Sequence, residues 1–107
     1  MSSQIGVFEL LVLMGVSSAR KNAYGVSIRQ AVEASRGRDV SSGAVHTTLE
    51  RLARRGFVAS RVGEATPARG GRPRRYYTLT RAGELAMRNN YRAVQHLAGR
   101  LAGKVLS

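Results

Sequence analysis

The sequence contains no cysteine and only two histidines, His46 and His96, which lie far apart in the chain. Without cysteine, neither a disulfide framework nor a cysteine-based zinc site can form. Two distant histidines do not complete a zinc ligand set within one chain. We therefore expect no structural metal and no cofactor.

The residue patterns of common catalytic sites are also missing. The sequence has no cysteine nucleophile, no recognisable pair of carboxylates and no glycine-rich phosphate loop before a helix. Neither histidine has an obvious serine or acidic partner. An enzyme is consequently the class of protein that this sequence favours least.

The chain has no long hydrophobic run. Its most apolar stretch, "IGVFELLVLMGV" at residues 5–16, lacks a basic flank and contains Glu9. A stretch of 12 residues is too short to span a bilayer, which needs about 20 residues. We expect neither a signal peptide nor a membrane anchor, and a cytoplasmic, nucleoid-associated protein.

Acidic residues are scarce, with 6 against 18 basic residues, and the formal net charge is +12. This imbalance favours a polyanionic partner such as nucleic acid or an anionic membrane surface. Sixteen of the basic residues are arginine, which is well suited to phosphate and guanine. At 107 residues and 43% hydrophobic content, the chain suits one domain with a modest core.

Two helices are predicted in the N-terminal third of the chain. Residues 5–16 are apolar nearly all the way round a helix, which in a small domain suggests burial against a partner subunit as well as the core. A polar break, "SSARKNA", follows. Residues 24–35 place Ile28 and Val32 four apart among polar residues, the pattern of an amphipathic helix.

The segment "VSSGAVHTTLERLARRG", residues 40–56, predicts a third helix with Ser41 as its N-cap and Gly56 as its stop. Its apolar stripe predicts the face turned to the core, and the opposite face carries small, basic and acidic groups. The stripe consists of Val45, Leu49 and Leu52, and the outer face of Gly43, Thr47, Glu50, Arg51 and Arg54.

Two short runs, "FVASRV" and "RRYYTLT", predict the strands of a hairpin with a long loop rich in glycine, proline and arginine. In the second run Tyr77 and Leu79 share one strand face, and we predict that Tyr77 belongs to the core. The loop tip, "ARGGRP", is expected to contact phosphates or a DNA groove.

Thr80 is the predicted N-cap of the last helix. That helix carries apolar residues at spacings of 4, 3, 4, 3 and 4, the heptad pattern of a helix pair. These residues, Met87, Tyr91, Val94, Ala98, Leu101 and Val105, are the predicted dimer interface. The expected fold is mainly α with a small β-hairpin: a winged helix-turn-helix over residues 1–80 and a long dimerisation helix over 81–107.

Three segments resemble the PadR family of bacterial transcriptional regulators, in its compact subgroup. They are "YGVSI", "SSGAVHTTLERLARRGFV" and "GGRPRRYYTLTRAGE", and the resemblance covers almost the whole chain. It implies a homodimeric repressor that binds an inverted-repeat operator on double-stranded DNA. It also implies that the terminal helix supplies the dimer contacts and that a small molecule or stress signal often relieves repression.

The family usually has a tyrosine where this chain has His46, so the role of that tyrosine is not carried over. We predict that His46 contacts the DNA backbone, with a plain surface position as the alternative. The third helix is predicted to bind DNA through Ser41, Ser42, Gly43, His46, Thr47, Arg51 and Arg54. The hairpin with its loop, which forms the wing of this fold, is predicted to bind DNA through Arg72, Arg74 and Arg75.

Eight arginines fall within 25 positions, at 51, 54, 55, 61, 69, 72, 74 and 75. A solvated basic surface explains such a cluster poorly. For the wing tip, a turn at Gly70, Gly71 and Pro73 with solvated arginines is an equal alternative to a contact with DNA.

The rival function is a structured-RNA-binding or ribosome-associated protein, but an A-form major groove is too narrow for the third helix. A small apolar or aromatic effector is predicted near Phe8, Val12 and Tyr91, with ordinary packing of Phe8 as the alternative.

Overall fold

The computed structural model describes residues 4–64, 67 and 70–105, and it describes the side chains of the last helix through Ala102. The elements follow one another as α1 (Val7–Ala19), a 3₁₀ turn (Arg20–Asn22), α2 (Gly25–Arg36), α3 (Ser42–Arg54), β1 (Val58–Val62), β2 (Arg75–Leu79) and α4 (Arg81–Val105). This arrangement confirms the predicted mainly helical fold with one hairpin and a long C-terminal helix. The polar break begins later than predicted, because α1 continues through Ala19.

The core forms where the apolar stripes of α1, α2 and α3 meet. Its fully buried members include Leu13 of α1, Ile28 and Val32 of α2, and Leu49 and Leu52 of α3. Because α1 packs against α2, α3, α4 and β2, it is surrounded within its own chain. Most of its apolar residues are therefore buried in the chain's own core or packed against it, and the contact with a partner subunit stays a prediction.

The hairpin is attached to the helices along its second strand. β1 and β2 pair antiparallel with Val58 opposite Leu79. On its other edge β2 joins the segment before α2, since Tyr77 N donates to Ala23 O at 2.8 Å and Tyr24 forms a bridge with Tyr76. Tyr77 is buried at 7% exposure, which confirms its predicted place in the core. The base of the wing is thus fixed on both edges of one strand.

The start of α4 is tied to the end of α3 and the start of the hairpin. The Thr80 hydroxyl accepts from Gly83 N at 3.0 Å, as predicted for an N-cap, and donates to Gly56 O at 2.6 Å. A Cβ at position 83 would lie 1.9 Å from the carbonyl oxygen of Phe57. Only glycine permits this close approach, so position 83 needs glycine for packing.

α4 divides into two parts by burial. Ala86 is completely buried and Met87 packs against the core. From Tyr91 to Ala102 every residue is exposed, although Tyr91, Val94, Leu97 and Leu101 are large and apolar. Among the described helices, none combines the length and the apolar character needed to cross a membrane.

Candidate nucleic-acid interface

The outer face of α3 is a polar surface held in place by a buried inner face. Val45, Leu49 and Leu52 are at most 1% exposed, whereas Thr47 and Arg51 on the opposite side are exposed. Gly43, Glu50 and Arg54 are exposed on that side too, as the helical pattern predicted. The helix is therefore oriented by its core contacts, which leave its polar face exposed.

The first turn of α3 has one hydroxyl engaged and two exposed residues beside it. The Ser41 hydroxyl accepts from Ala44 N at 3.0 Å, which confirms Ser41 as the N-cap. Ser42 and Gly43 are exposed in the same turn. Backbone N–H groups at a helix N-terminus favour phosphate, so this turn suits a backbone contact.

His46 is paired along the helix with Glu50. Its Nε2 lies 3.0 Å from Glu50 Oε1, and the two side chains are 65% and 54% exposed. The predicted contact between His46 and the DNA backbone stays a prediction, and the pair places a carboxylate beside this histidine on the outer face. Glu50 was not among the predicted site residues, although its spacing of four from His46 was the available signal.

Two arginines lie over two tyrosines that contact each other at the base of the wing. The Arg74 guanidinium lies 3.9 Å from the Tyr24 ring centre, and that of Arg61 lies 4.7 Å from the Tyr76 ring centre. The two rings meet edge to face at 5.9 Å. In this arginine–tyrosine ladder Arg74, a predicted DNA contact, is partly buried and packs within the chain.

Two more members of the arginine cluster make contacts within the chain. Arg75 Nη1 donates to Ser60 Oγ across the hairpin at 3.0 Å. Arg55 donates to the carbonyl oxygen of Gln4 at 2.8 Å and lies over the Phe57 ring at 4.8 Å. The cluster therefore serves two purposes, because part of it stabilises the fold while other members face outward.

Five arginines of the cluster are exposed in the described part of the chain: Arg51 and Arg54 on α3, Arg61 and Arg75 on the two strands, and Arg72 in the loop between them. Gly70 and Gly71 form a turn just before Arg72 with φ of 65° and 77°, the left-handed region that favours glycine. The turn that the glycines were predicted to form is thus present, and the groove contact of the wing tip stays a prediction. Arg69, another member of the cluster, lies outside the described residues.

Four of the predicted DNA-binding residues meet around a cavity of about 530 Å³ between α2, α3 and β2. They are Ser42, His46, Arg74 and Arg75. Tyr77 lines the same cavity. Burial raises the pKa of its phenol above the ordinary value, the neighbouring Arg75 lowers it and Glu50 raises it further. The phenol is therefore neutral at physiological pH.

The residues predicted to form an effector pocket are not equally accessible. Val12 is completely buried in the core, Phe8 is partly buried beneath the Arg36 guanidinium at 5.6 Å, and Tyr91 is 44% exposed on α4. A pocket between subunits would therefore have to use Phe8 and Tyr91 without Val12, and that site stays a prediction.

The predicted dimer residues lie along one side of α4. Met87 packs against its own core, whereas Tyr91, Val94, Ala98 and Leu101 are exposed. The side chain of Val105 lies outside the described ones. Leu97 is 56% exposed and was missed, although it stands three residues after Val94 and four before Leu101.

The described residues contain no group of three or more histidine, aspartate or glutamate side chains placed to hold a metal ion.

Comparison with known proteins shows the same fold in bacterial regulators. The profile of the transcriptional regulator PadR-like family matches residues 12–89. A PadR family transcriptional regulator from Eggerthella lenta is 28% identical, with a TM-score of 0.65 over 91% of this chain and 81% of that one. A PadR-like regulator from Bacillus cereus is 18% identical, with a TM-score of 0.78 over 95% and 94%.

The fold is also similar to that of Bordetella bronchiseptica BpsR, whose DNA binding is regulated by 6-hydroxynicotinic acid. BpsR is 18% identical, with a TM-score of 0.70 over 96% of this chain and 69% of that one. No curated protein matches the chain.

Proposed function

The chain belongs to the PadR-like family of transcriptional regulators, and we propose that it regulates transcription by binding duplex DNA with α3 and the wing. The observation that carries the proposal is the orientation of α3. Its apolar stripe is fully buried, and Thr47, Arg51 and Arg54 are exposed together on the other side. A helix of this kind fits the B-form major groove.

Base recognition is assigned to Thr47 and Arg51. Arginine can donate two hydrogen bonds to one guanine, and threonine can contact a base edge or a thymine methyl group. Ser41, Ser42, Gly43, His46 and Arg54 are assigned mainly to the DNA backbone, together with Arg72, Arg74 and Arg75. Because Arg74 and Arg75 also make contacts within the chain, Arg72 is the wing residue best placed to reach the DNA.

The chain is proposed to bind as a homodimer through residues 81–107. The support is the exposed apolar side of α4, with Tyr91, Val94, Leu97 and Leu101 all at least 44% exposed. A two-fold dimer presents its α3 helices to successive major grooves. The DNA site should then be an inverted repeat with half-site centres about 10 bp, or a small multiple, apart.

Repression with release by a small apolar ligand is the proposed mode of regulation. The supporting observation comes from a protein of the same fold, since BpsR has DNA binding that is regulated by a small aromatic acid. The sequence-based location for such a ligand is the surface near Phe8 and Tyr91. Screening flat apolar compounds for release of DNA, with Phe8→Ala as the control variant, tests this assignment.

The central experiment is selection of bound fragments from the source genome with the full-length protein. Recovery of a common inverted repeat is expected, and its neighbourhood identifies the regulated gene. Recovery of fragments without a shared symmetric sequence would contradict specific operator binding by a dimer.

A second measurement separates DNA from RNA as the partner. The selected duplex and an RNA duplex of the same sequence are titrated by fluorescence anisotropy. Preference for DNA is expected because the A-form major groove does not admit α3. Equal or tighter binding to the RNA duplex would support the structured-RNA alternative instead.

A further inference from the structure

The cavity between α2, α3 and β2 has the size and lining of a small-molecule site. Its volume of about 530 Å³ falls within the range of roughly 300 to 1,000 Å³ that ligand pockets usually have. The aliphatic part of its wall consists of Val26, Val45 and Leu49, and the aromatic part consists of Tyr24 and Tyr77. An apolar body of the size of one or two rings therefore has a surface to pack against.

The polar groups around this wall are cationic or neutral. Arg29, Arg74 and Arg75 all line the cavity, and no carboxylate is among its described lining residues. Three guanidinium groups and no carboxylate at one cavity favour a ligand that carries an acidic group, because guanidinium and an anionic oxygen form charge-assisted hydrogen bonds.

We propose that this cavity binds a small organic anion with an apolar body and one acidic group, and that its binding opposes DNA binding. The acidic group is placed at Arg29 and the apolar body along Val45 and Leu49. A DNA phosphate could use the arginines but would leave the apolar wall empty. The site is built from other residues than Phe8 and Tyr91, the location proposed from the sequence.

The opposition to DNA rests on the proposed function, because the cavity shares residues with the proposed interface. Ser42, His46, Arg74 and Arg75 line the cavity and are also assigned to DNA. A ligand seated there occupies the arginines and lies directly beside the first half of α3. Anion binding itself requires no DNA, so the two parts can be tested separately.

The first test uses two fluorescent probes of the same shape on the full-length protein without DNA. Anilinonaphthalene sulfonate carries one acidic group, and N-phenylnaphthylamine lacks it. The sulfonate is expected to bind at least about tenfold more tightly, because it gains charge-assisted hydrogen bonds. Equal affinity of the two probes, or equal displacement of the sulfonate by inorganic phosphate alone, would overturn the proposal.

Variants then locate the bound probe. Arg29→Gln should remove most of the preference for the sulfonate, whereas Arg51→Gln, which lies outside the cavity, should leave it. A Cβ added at Gly25 or at Gly43 would meet nothing within 4 Å, yet of the two only Gly25 lines the cavity. Gly25→Phe should therefore weaken the sulfonate at least about tenfold while Gly43→Phe does not.

Thermal unfolding of each variant shows whether it folds, and the glycine pair keeps the test valid if Arg29→Gln is unstable. Equal weakening by both phenylalanine variants, or loss of sulfonate binding in Phe8→Ala, would place the probe elsewhere and overturn the proposal.

The last arm adds the selected DNA duplex. The sulfonate is expected to release it from the wild type and not from Gly25→Phe variants that still bind DNA. Binding of the sulfonate in the cavity without any release would overturn only the opposition to DNA. Absence of DNA binding altogether would contradict the proposed function and leave the cavity result intact.

Discussion

α3 and the outer half of α4 expose opposite kinds of surface. On α3 the apolar residues are buried and the exposed side carries Thr47, Arg51 and Arg54. On α4 after residue 90 the apolar residues themselves are exposed, with Leu97 at 56% and Val94 at 53%. Exposed arginine suits a polyanion, whereas a contiguous exposed apolar stripe suits another protein surface. The two surfaces therefore suit different kinds of partner.

The outer half of α4 also has little support within its own chain. Helices in proteins are stabilised mainly by packing of an apolar face, which these residues lack in the single chain. Interior glycines such as Gly99 cost about 1 kcal/mol each relative to alanine. The comparison therefore indicates that α3 is stabilised by packing within the single chain, whereas the end of α4 is not.

Placing a charge on the apolar stripe should have the largest effect. Leu101→Asp is expected to weaken the dimer roughly a thousandfold, about 4 kcal/mol, because each dimer would bury two carboxylates. Sedimentation equilibrium measures the change. His96→Asp, on the other side of the helix, is the control and should leave the dimer intact. A wild-type protein that is monomeric at tens of micromolar would remove the dimer proposal altogether.

A substitution where the start of α4 packs against Phe57 should have the next largest effect. Gly83→Ala is expected to destabilise the fold by about 3 kcal/mol, because its Cβ would collide with the Phe57 carbonyl. Gly99→Ala is the matched control, since a Cβ there meets nothing within 4 Å, and it should gain up to about 1 kcal/mol. Urea unfolding of both variants gives the difference. Equal stability of the two variants would mean that the contact between position 83 and Phe57 accommodates a side chain.

Arginine variants on α3 should change the base preference of DNA binding, whereas those on the wing should change the affinity for any DNA sequence. Arg51→Ala is expected to cost about 1 to 3 kcal/mol on the selected DNA site and to flatten base preference at one or two positions. Arg72→Ala should weaken selected and random DNA by similar factors. It should also reduce the salt slope by about 1 for each phosphate that is no longer neutralised, hence about 2 per dimer.

Salt titrations of both variants on selected and scrambled duplexes make this comparison, with Arg88→Ala on α4 as the control. If Arg72→Ala abolished binding to the selected site alone, the wing would recognise sequence and the assignment of base recognition to α3 would be wrong.

The smallest effect is expected at the first turn of α3. Ser41→Ala should cost about 1 kcal/mol of stability because it removes the N-cap hydrogen bond to Ala44. Ser41→Asp keeps a cap and a favourable interaction with the helix dipole, so stability should be retained. Its charge should nevertheless weaken DNA binding, and less so at high salt. Unchanged DNA affinity of Ser41→Asp at low salt would place this turn away from the phosphates.

The arginine cluster shows which features of the candidate site can be predicted from the sequence. Arg51 and Arg54 were correctly placed on an exposed helix face, because the helical period alone fixes that side. The ladder was missed, because Arg74 meets Tyr24 and Arg61 meets Tyr76 only after the chain has folded back on itself. In the sequence, nothing distinguishes the basic residues of the cluster that pack within the chain from those that face outward.

The first helix shows a pattern that the sequence alone leaves with two explanations. Its all-round apolar pattern is compatible with a partner subunit or with contacts from several elements of one chain, and the pattern contains no information that separates these. The structure surrounds α1 with α2, α3, α4 and β2, and Val12 is completely buried. The predicted contact of α1 with the core is thus confirmed, and its contact with a partner subunit stays a prediction.

The helices and strands, the caps at Ser41 and Thr80, the sign of the charge and the stripe on α4 could all be predicted from the sequence. These features depend on local spacing and on the chemistry of single residues. Tertiary packing was needed to show which arginines pack within the chain, why position 83 must be glycine, and that Arg29 and Leu49 line one cavity. Those contacts join residues distant in sequence, and their geometry depends on how whole elements pack against one another.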